Sequence, residues 1–197
     1  MRTGRLVLIA AALAIVLAAG VATFALLRQG GGAPSGTVPI GGDFTLTSHT
    51  GQRVRDADFR GRLMLVYFGY TFCPDVCPAE LQVMADALDR LGPDAERVAP
   101  LFITVDPERD TRHVLADYVP FFHQRLVGLT GTPDEIAAAA KAYRVYYASA
   151  ESGEEDGAYL MDHTSLVYLM GRDGSYLRHF TAGTTAEEMA AAIRQPL

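Results

Sequence analysis

Residues 63–81 read LMLVYFGYTFCPDVCPAEL, and this stretch decides how the chain folds. Its first seven residues, Leu63–Gly69, form a continuous apolar run, which is typical of a strand buried on both faces of a sheet. Pro78 suits the first turn of a helix, because no backbone N–H is needed from it there, and the pattern predicts a helix that ends near Leu91. A strand, a loop and a helix therefore meet at Tyr70–Cys77.

Strands and helices alternate on both sides of this stretch. In chain order, the further predictions are strands at 44–47, 53–59, 99–105, 126–129, 145–148, 165–170 and 175–181, and helices at 111–121, 132–143 and from 184. Two helix starts carry a capping box, in which a Thr precedes a Glu by three residues: Thr132 with Glu135 and Thr184 with Glu187. Strands that alternate with helices and end in a hairpin and a terminal helix predict a layered α/β domain with a mixed sheet.

Composition and charge exclude several classes of protein. Of 197 residues, 49% are apolar and 20% are charged, which excludes a disordered chain, and two cysteines are too few for a disulfide-stapled scaffold. The net charge is −6. No acidic residue precedes Asp43 and no basic run follows Arg28, so the chain lacks the basic face that a nucleic-acid binder needs. We therefore expect no nucleic-acid partner.

The amino-terminal segment is typical of a membrane anchor. Residues 6–27 are 22 residues without a charge, and as a helix they would span about 33 Å, enough to cross a hydrocarbon core of about 30 Å. Arg2 and Arg5 precede this segment, so the positive-inside rule keeps residues 1–5 in the cytoplasm and exports the rest. A cleaved signal peptide is the alternative, since Gly20–Ala22 are small, but the apolar run exceeds the usual length of about 7–15 residues. Both interpretations place the domain outside the cytoplasm.

The next segment is predicted to be a flexible linker. Residues 28–42 contain six glycines together with Pro34 and Pro39, a composition that buries too little apolar surface to order itself. Fully extended, this linker would reach at most about 50 Å, so it would keep residues 43–197 near the membrane surface. A partner embedded in that membrane would be within reach.

Both cysteines of the chain, Cys73 and Cys77, lie where the predicted helix begins. Unpaired N–H groups and the positive end of the helix dipole stabilise a thiolate there. The four-residue spacing also places the two sulfurs on one side of a helical turn, where they can form a disulfide or bind one ion. A disulfide that only staples the loop is the structural alternative, but so small a ring would constrain the unfolded chain little.

The two thiols favour copper over zinc. A structural zinc site takes four protein ligands, usually from paired Cys-x-x-Cys units, whereas Cu(I) is soft, accepts few ligands and suits two thiolates with one imidazole. Of the five histidines, four are expected in turns, near helix ends or on strands with surface roles: His49, His113, His123 and His179. His163 differs, because Asp162–Ser165 lead directly into a predicted strand and a loop there can face the cysteines. The spacing alone leaves both a ligand role and a surface role open for His163.

Charged residues near these positions are expected in supporting roles. A solvated loop position or a docking contact is expected for Asp75, because a carboxylate is a hard donor that matches Cu(I) poorly. Asp162 is a candidate for orienting a loop or the imidazole. Asp106, Arg109 and Asp110 are expected to form an ion-paired loop that braces the structure, with partner recognition as the alternative.

Three segments in order resemble the Sco/SenC family of copper chaperones: GYTFCPDVCPAEL at 69–81, VDPERDT at 105–111 and YLMDHTSLVYLMGRDG at 159–174. The likeness extends from about residue 40 to residue 193. It implies a thioredoxin-like domain, in which helices flank a mixed central sheet, tethered to the inner mitochondrial or bacterial membrane. It also implies that Cys73, Cys77 and His163 bind copper, as Cu(I) and as Cu(II).

The resemblance further implies a role in assembling the dinuclear copper centre of cytochrome c oxidase, by delivering copper, by reducing the acceptor's cysteines, or by both. The implied partners are the copper-bearing oxidase subunit or another copper chaperone, together with a thiol–disulfide reductant. The implied location is a bacterial inner membrane, with a single membrane pass and the domain on the periplasmic side. The chain would then be a chaperone rather than an enzyme, apart from a thiol–disulfide reductase activity.

Other functions stay open at this point. An exported thiol–disulfide oxidoreductase without a metal would use the same cysteines, but such enzymes usually carry Cys-x-x-Cys and a proline in the facing loop, where this chain has Asp162–Thr164. A copper or redox sensor would have the same site and a regulatory partner. A peroxide-reducing enzyme would resemble the scaffold, but it normally places its reactive cysteine in a different environment of Thr and Arg.

Overall fold

The central strand of the fold is the apolar run that precedes the cysteines. The computed structural model describes residues 39–151 and 159–197. In it, Leu63–Gly69 form strand β3, which is buried along its whole length, as predicted. β3 pairs in parallel with β4 (Val98–Thr104) and antiparallel with β8 (Leu166–Met170). The strand that leads into the cysteine loop therefore lies in the middle of the sheet.

The main sheet is mixed, as predicted. Its remaining strands are β1 (Thr45–Ser48), β2 (Arg53–Arg55), β5 (Val127–Thr130) and β9 (Tyr176–Thr181). The seven strands lie in the order β2-β1-β5-β4-β3-β8-β9. Strands β3, β4 and β5 run parallel, and the other neighbours are antiparallel.

A second, two-stranded sheet is made by β6 (Tyr147–Glu151) and β7 (Tyr159–His163). No strand is predicted at Tyr159–His163, where a loop is expected before β8, and this expectation is wrong. The residues alternate between half-buried and exposed, with Leu160 and Asp162 facing outward. Because the inward positions hold a histidine and a tyrosine beside one methionine, the alternation is hard to recognise as a strand pattern.

The described residues contain four α-helices: α1 (Val76–Leu91), α2 (Arg112–Tyr118), α3 (Pro133–Ala142) and α4 (Ala186–Arg194). Short 3-10 helices cover Asp56–Phe59, Gly92–Arg97 and Val119–Phe121. Helix α1 packs against α4, and α2 packs against β5, where Gly128 leaves room for Leu115 and Val119.

The ends of helices and strands follow the predicted chemistry with two corrections. The capping box of Thr132 and Glu135 begins α3, as predicted. The cap of α4 is Thr185 with Glu188, one residue later than predicted, because the N–H of Thr184 instead closes a turn onto the carbonyl of Thr181. Helix α1 begins at Val76 with Pro78 in its first turn, as predicted, and Cys77 lies in the same turn. The strand predicted at 53–59 ends at Arg55 and continues as a 3-10 helix.

Aromatic side chains pack on both faces of β3 and hold the end of the strand in place. Tyr67 stacks with Phe102, whereas Phe68 contacts Tyr143 and Tyr168. Neighbouring residues of a strand point to opposite faces, so β3 contributes rings to both halves of the core. The cysteine loop therefore starts from a rigid position.

The predicted membrane anchor cannot be compared with this fold. Residues 1–5, the apolar segment 6–27 and most of the predicted linker 28–42 lie outside the described residues. Among the helices of residues 39–151 and 159–197, none combines the length and apolarity required to span a bilayer.

Candidate metal centre

The two cysteines lie together at the entrance of α1. Cys73 is half-buried in the loop after β3, and Cys77 is fully buried in the first turn of α1. The backbone N–H of Cys77 donates to Sγ of Cys73 at 3.4 Å. Both are free thiols. The sulfur pair lies at the helix entrance, as predicted, but Cys73 precedes the helix instead of sharing one of its turns.

The two thiols differ in how readily they ionise. Partial burial opposes ionisation of Cys73, but the backbone N–H groups of Asp75, Cys77 and Val76 outweigh it and hold its pKa below the ordinary value. Burial raises the pKa of Cys77 to about 12. Cys73 is thus the accessible, more acidic sulfur, and Cys77 is a protected thiol behind it.

His163 reaches the sulfur pair from the end of β7. Its Nε2 lies 3.4 Å from Sγ of Cys77, and its Nδ1 lies 3.2 Å from the carbonyl oxygen of Thr164. A carbonyl oxygen only accepts, so Nδ1 carries the proton of this hydrogen bond and Nε2 turns its lone pair toward the sulfur. Burial lowers the pKa of His163, which keeps the imidazole neutral and able to bind a metal.

Two tyrosine rings orient the imidazole. The rings of Tyr67 and Tyr70 meet His163 edge-on, at centroid distances of 6.2 and 5.9 Å. The hydroxyl of Tyr67 lies 3.3 Å from Oγ of Ser165, just after His163 in the chain. Both tyrosines escape prediction, because in the sequence they belong to a strand and its continuation, where an aromatic residue is ordinary core.

The prediction of an ion-paired loop at Asp106, Arg109 and Asp110 is only partly correct. Arg109 and Asp106 form a salt bridge, as expected. Asp110 is instead fully buried and accepts hydrogen bonds from the N–H and hydroxyl of Thr71, at 2.9 and 2.5 Å, and from the hydroxyl of Thr104 at 2.6 Å. Its carboxylate therefore braces the start of the cysteine loop rather than neutralising an arginine.

The other four histidines have partners away from the thiols or lie exposed. His49 Nδ1 accepts from the N–H of Gly128, and His123 Nδ1 accepts from the N–H of Arg125. His179 pairs with the hydroxyl of Tyr176, and His113 is exposed on α2. Asp75 and Asp162 are also exposed. These positions agree with the surface roles expected for the histidines and for Asp75.

The donor set at this site fits a soft metal ion. Within residues 39–151 and 159–197, no three histidine, cysteine or carboxylate side chains already stand as a metal-binding cluster. Cys77 does contact both His163 and, through its N–H, Cys73. Two sulfurs and one neutral ring nitrogen suit Cu(I), and they offer too few donors for a closed zinc site.

Comparison with known proteins identifies the family. The family model described as SCO1/SenC matches residues 32–197. This chain belongs to the SCO1/SenC family. The resemblance predicted from the three motifs is therefore confirmed. The human mitochondrial SCO1 homolog is 47% identical over 159 residues, which cover 78% of this chain and 52% of the human protein. The chain thus spans about half the length of this relative.

Solved structures of Sco proteins share the fold. ScoI of Bradyrhizobium japonicum, solved with copper bound, is 45% identical with a TM-score of 0.75, and the match covers 80% of this chain and 99% of that one. BsSco, described as a member of the Sco family of cytochrome c oxidase assembly proteins with a disulfide switch, is 23% identical with a TM-score of 0.63, over 81% of this chain and 94% of its own. The predicted thioredoxin-like α/β fold with a mixed central sheet is confirmed.

Proposed function

We propose that this SCO1/SenC protein is a copper chaperone that binds copper through Cys73, Cys77 and His163. The contact of 3.4 Å between Sγ of Cys77 and Nε2 of His163 carries the proposal, because it brings an imidazole to a pair of thiols that share a helix entrance. Copper in the structure of B. japonicum ScoI, at 45% identity, supports the choice of metal. The soft donor set suits Cu(I), and the imidazole adds a ligand that Cu(II) accepts well.

The unequal thiols suit a protein that releases its cargo. An acceptor thiolate reaches the half-buried Cys73 before it reaches Cys77, so copper passes by stepwise ligand exchange that begins at Cys73. The neutral imidazole does not need to lose a proton before it binds. The residues therefore bind copper firmly without enclosing it.

The acceptor we propose is the copper-bearing subunit of cytochrome c oxidase, or another copper chaperone. The description of BsSco as a member of an oxidase assembly family supports this partner. Residues 6–27 would anchor the chain in a bacterial inner membrane, with residues 1–5 in the cytoplasm. Residues 28–42 would then tether the domain 43–197 on the periplasmic side, within reach of an oxidase in that membrane.

Thiol–disulfide exchange is a second candidate, favoured by the contrast between the two thiols. The Cys73 thiolate would attack a disulfide of the acceptor and form a mixed disulfide, releasing one acceptor thiolate. Cys77 would then lose its proton and displace the second acceptor sulfur, which leaves a Cys73–Cys77 disulfide and a reduced acceptor. Two electrons pass to the acceptor, and an external thiol reductant would restore the cysteines.

Copper stoichiometry in both thiol redox states tests the proposal. The reduced protein should bind one copper per chain, and its Cu(II) form should be coloured by sulfur-to-copper charge transfer. Oxidation of Cys73 and Cys77 to a disulfide removes two of the three ligands, so the oxidised protein should retain little copper. A reduced, folded protein that stays colourless and metal-free after reconstitution would contradict the chaperone function and favour thiol exchange alone.

A further inference from the structure

One loop contacts both halves of the proposed copper site. Residues 105–111, which we term the bridging loop, connect β4 to α2. The guanidinium carbon of Arg109 lies 4.7 Å from the ring centre of Phe72, the residue before Cys73. The same carbon lies 3.7 Å from the ring centre of Tyr159, the first residue of the strand that ends at His163. One side chain thus contacts the cysteine loop and the histidine strand.

Arg109 is itself held from several directions. Its Nε donates to the carboxylate of Asp106, and its Nη1 donates to the backbone carbonyl of Tyr159 at 2.9 Å. The hydroxyl of Tyr159 donates to the other oxygen of Asp106 at 2.8 Å. Asp106 is buried, and its backbone N–H donates to the hydroxyl oxygen of Thr104 at 2.9 Å. These hydrogen bonds therefore fix the orientation of the guanidinium relative to the rings of Phe72 and Tyr159.

The histidine strand needs such support. Strands β6 and β7 form a separate sheet that shares no ladder of hydrogen bonds with the seven-stranded sheet bearing the cysteine loop. His163 lies at the far end of β7 from Tyr159, so a shift of the strand at Tyr159 is carried along the same short element to the imidazole. The bridging loop therefore holds one end of the strand whose other end carries the 3.4 Å contact between Cys77 and His163.

We propose that Arg109 is a positioning residue, which sets the placement of His163 relative to Cys73 and Cys77 by contacting Phe72 and Tyr159 together. This inference rests on the proposed copper-binding function. A cation–π contact stabilises more when it is shielded from water than when it is exposed, and Arg109 is mostly buried. A lysine keeps the positive charge but lacks the planar fork that bonds Asp106 and Tyr159 while facing two rings.

Substitution of Arg109 in the full-length protein tests this role. We expect Arg109→Gln to weaken Cu(II) binding by about 10–100-fold, the range found when groups that orient a metal ligand are removed. The charge-transfer spectrum should also change. Arg109→Lys should recover only a small part of the loss. Arg112→Gln removes an exposed arginine three residues away and should leave affinity and spectrum unchanged.

A double-mutant cycle separates positioning from general support of the fold. If Arg109 acts through His163, then Arg109→Gln should cause no further loss of Cu(II) affinity when His163→Ala is already present. Losses that add in the double variant would overturn the proposal. If Arg109→Gln fails to fold, Tyr159→Leu, which keeps the arginine and removes its nearest ring, must reproduce the weaker binding and the changed spectrum; an unchanged spectrum would overturn the proposal.

A metal-free measurement distinguishes failure of this inference from failure of the proposed function. In the reduced apo protein, the NMR signals of the His163 ring should shift in Arg109→Gln and stay in place in Arg112→Gln. If the unsubstituted protein takes up no copper, the proposed function fails, while shifted ring signals still support positioning by Arg109. Ring signals that do not move in Arg109→Gln would overturn the inference even if copper binds.

Discussion

Sγ of Cys77 lies 3.4 Å from Nε2 of His163, although the two residues are 86 positions apart in the chain. The sulfur belongs to the first turn of a helix that follows the central strand, whereas the nitrogen belongs to a separate two-stranded sheet. The contact therefore joins two separately hydrogen-bonded parts of the fold.

Removal of the imidazole should weaken Cu(II) binding selectively. His163→Ala takes away the only ring nitrogen beside the sulfur pair in the described part of the chain, so we expect a loss of at least about 10–100-fold, the range for residues that merely orient a ligand. His123→Ala is the matched control, since His123 instead contacts Asp89. Competition titration with a Cu(II) chelator measures both. Equal losses in the two variants would show that the imidazole is assigned wrongly.

The two thiols should react at very different rates. The pKa of Cys73 is held below its ordinary value, so its thiolate fraction and its alkylation rate rise at a lower pH than for free cysteine, and both fall as the pH drops through that pKa. Cys77, with a pKa of about 12 and a buried sulfur, should stay unmodified in the folded protein. Mass spectrometry after iodoacetamide treatment over a pH series measures this, with Cys73→Ser and Cys77→Ser to assign the products. Simultaneous modification of both thiols would contradict the prediction.

Gly69 gives Cys77 the space for its sulfur. A Cβ at Gly69 would lie 2.9 Å from Sγ of Cys77, closer than real Cβ contacts allow. We expect Gly69→Ala to displace the sulfur and to weaken copper binding about tenfold or more, in addition to destabilising the core by about 1–3 kcal/mol. Gly128→Ala is the control, because its Cβ would lie equally close, at 2.9 Å, to a side-chain carbon of Val119 away from the site. If both variants lose stability and copper alike, Gly69 has no specific effect on the sulfur.

Asp110 should be essential to the cysteine loop. Asp110→Asn replaces one of two acceptor oxygens by an NH₂ group, and these oxygens accept from the N–H and hydroxyl of Thr71 and from the hydroxyl of Thr104. Leaving buried donors unpaired costs about 1–3 kcal/mol, and each kcal/mol lowers Tm by about 2–4 °C in a domain of this size. Asp117→Asn, on the exposed face of α2, should change Tm by less than about 2 °C. Calorimetry of the metal-free proteins measures both Tm values. An unchanged Tm in Asp110→Asn would contradict the bracing role.

Glu80 on α1 should lower stability at neutral pH. Its side chain is buried, and burial raises its pKa above the ordinary value. The folded state therefore binds the proton more tightly than the unfolded state does, so the free energy of unfolding falls as the pH rises from the unfolded-state pKa through the folded-state pKa. Glu80→Gln should remove this fall and raise Tm at pH 7.5 by about 2–4 °C, or about 1 kcal/mol, with a smaller gain at pH 4.

The control for this change is Glu96→Gln, an exposed position that should give no difference between the two pH values. Thermal unfolding followed by circular dichroism at pH 4 and pH 7.5 measures both variants. A gain for Glu80→Gln that is equal at the two pH values would show that it arises from packing and not from the buried charge.

The sequence predicts some parts of this structure well for identifiable reasons. The strand Leu63–Gly69 is apolar throughout because both of its faces are covered, so composition alone reveals it. The capping box of Thr132 and Glu135 is equally local. The strand Tyr159–His163 escapes prediction because its stability comes from pairing with Tyr147–Glu151 and from contacts with the bridging loop, and neither leaves a periodic pattern.

The sequence likewise predicts some residues of the candidate site and misses the placement of others. Cys73 and Cys77 are only four residues apart at a predicted helix start, so the sequence alone predicts that they lie close together, although Cys73 precedes the helix. The position of His163 depends on how two sheets pack; its place before a predicted strand makes it a candidate, and the resemblance to a family selects it. Asp110 is expected from the sequence to belong to an ion-paired loop, whereas its burial against Thr71 is set by tertiary structure.

The separation of the two sheets also bears on how the domain would respond to its cargo. An ion held by Cys73, Cys77 and His163 would cross-link distant positions of the chain and add to the contacts that already hold the two sheets together. Binding of copper would then stiffen the two-stranded sheet of β6 and β7, and release of copper would make it more mobile. The bound copper would therefore be both the cargo and a structural cross-link. A docking protein could then distinguish the loaded form from the metal-free form by the rigidity of β6 and β7.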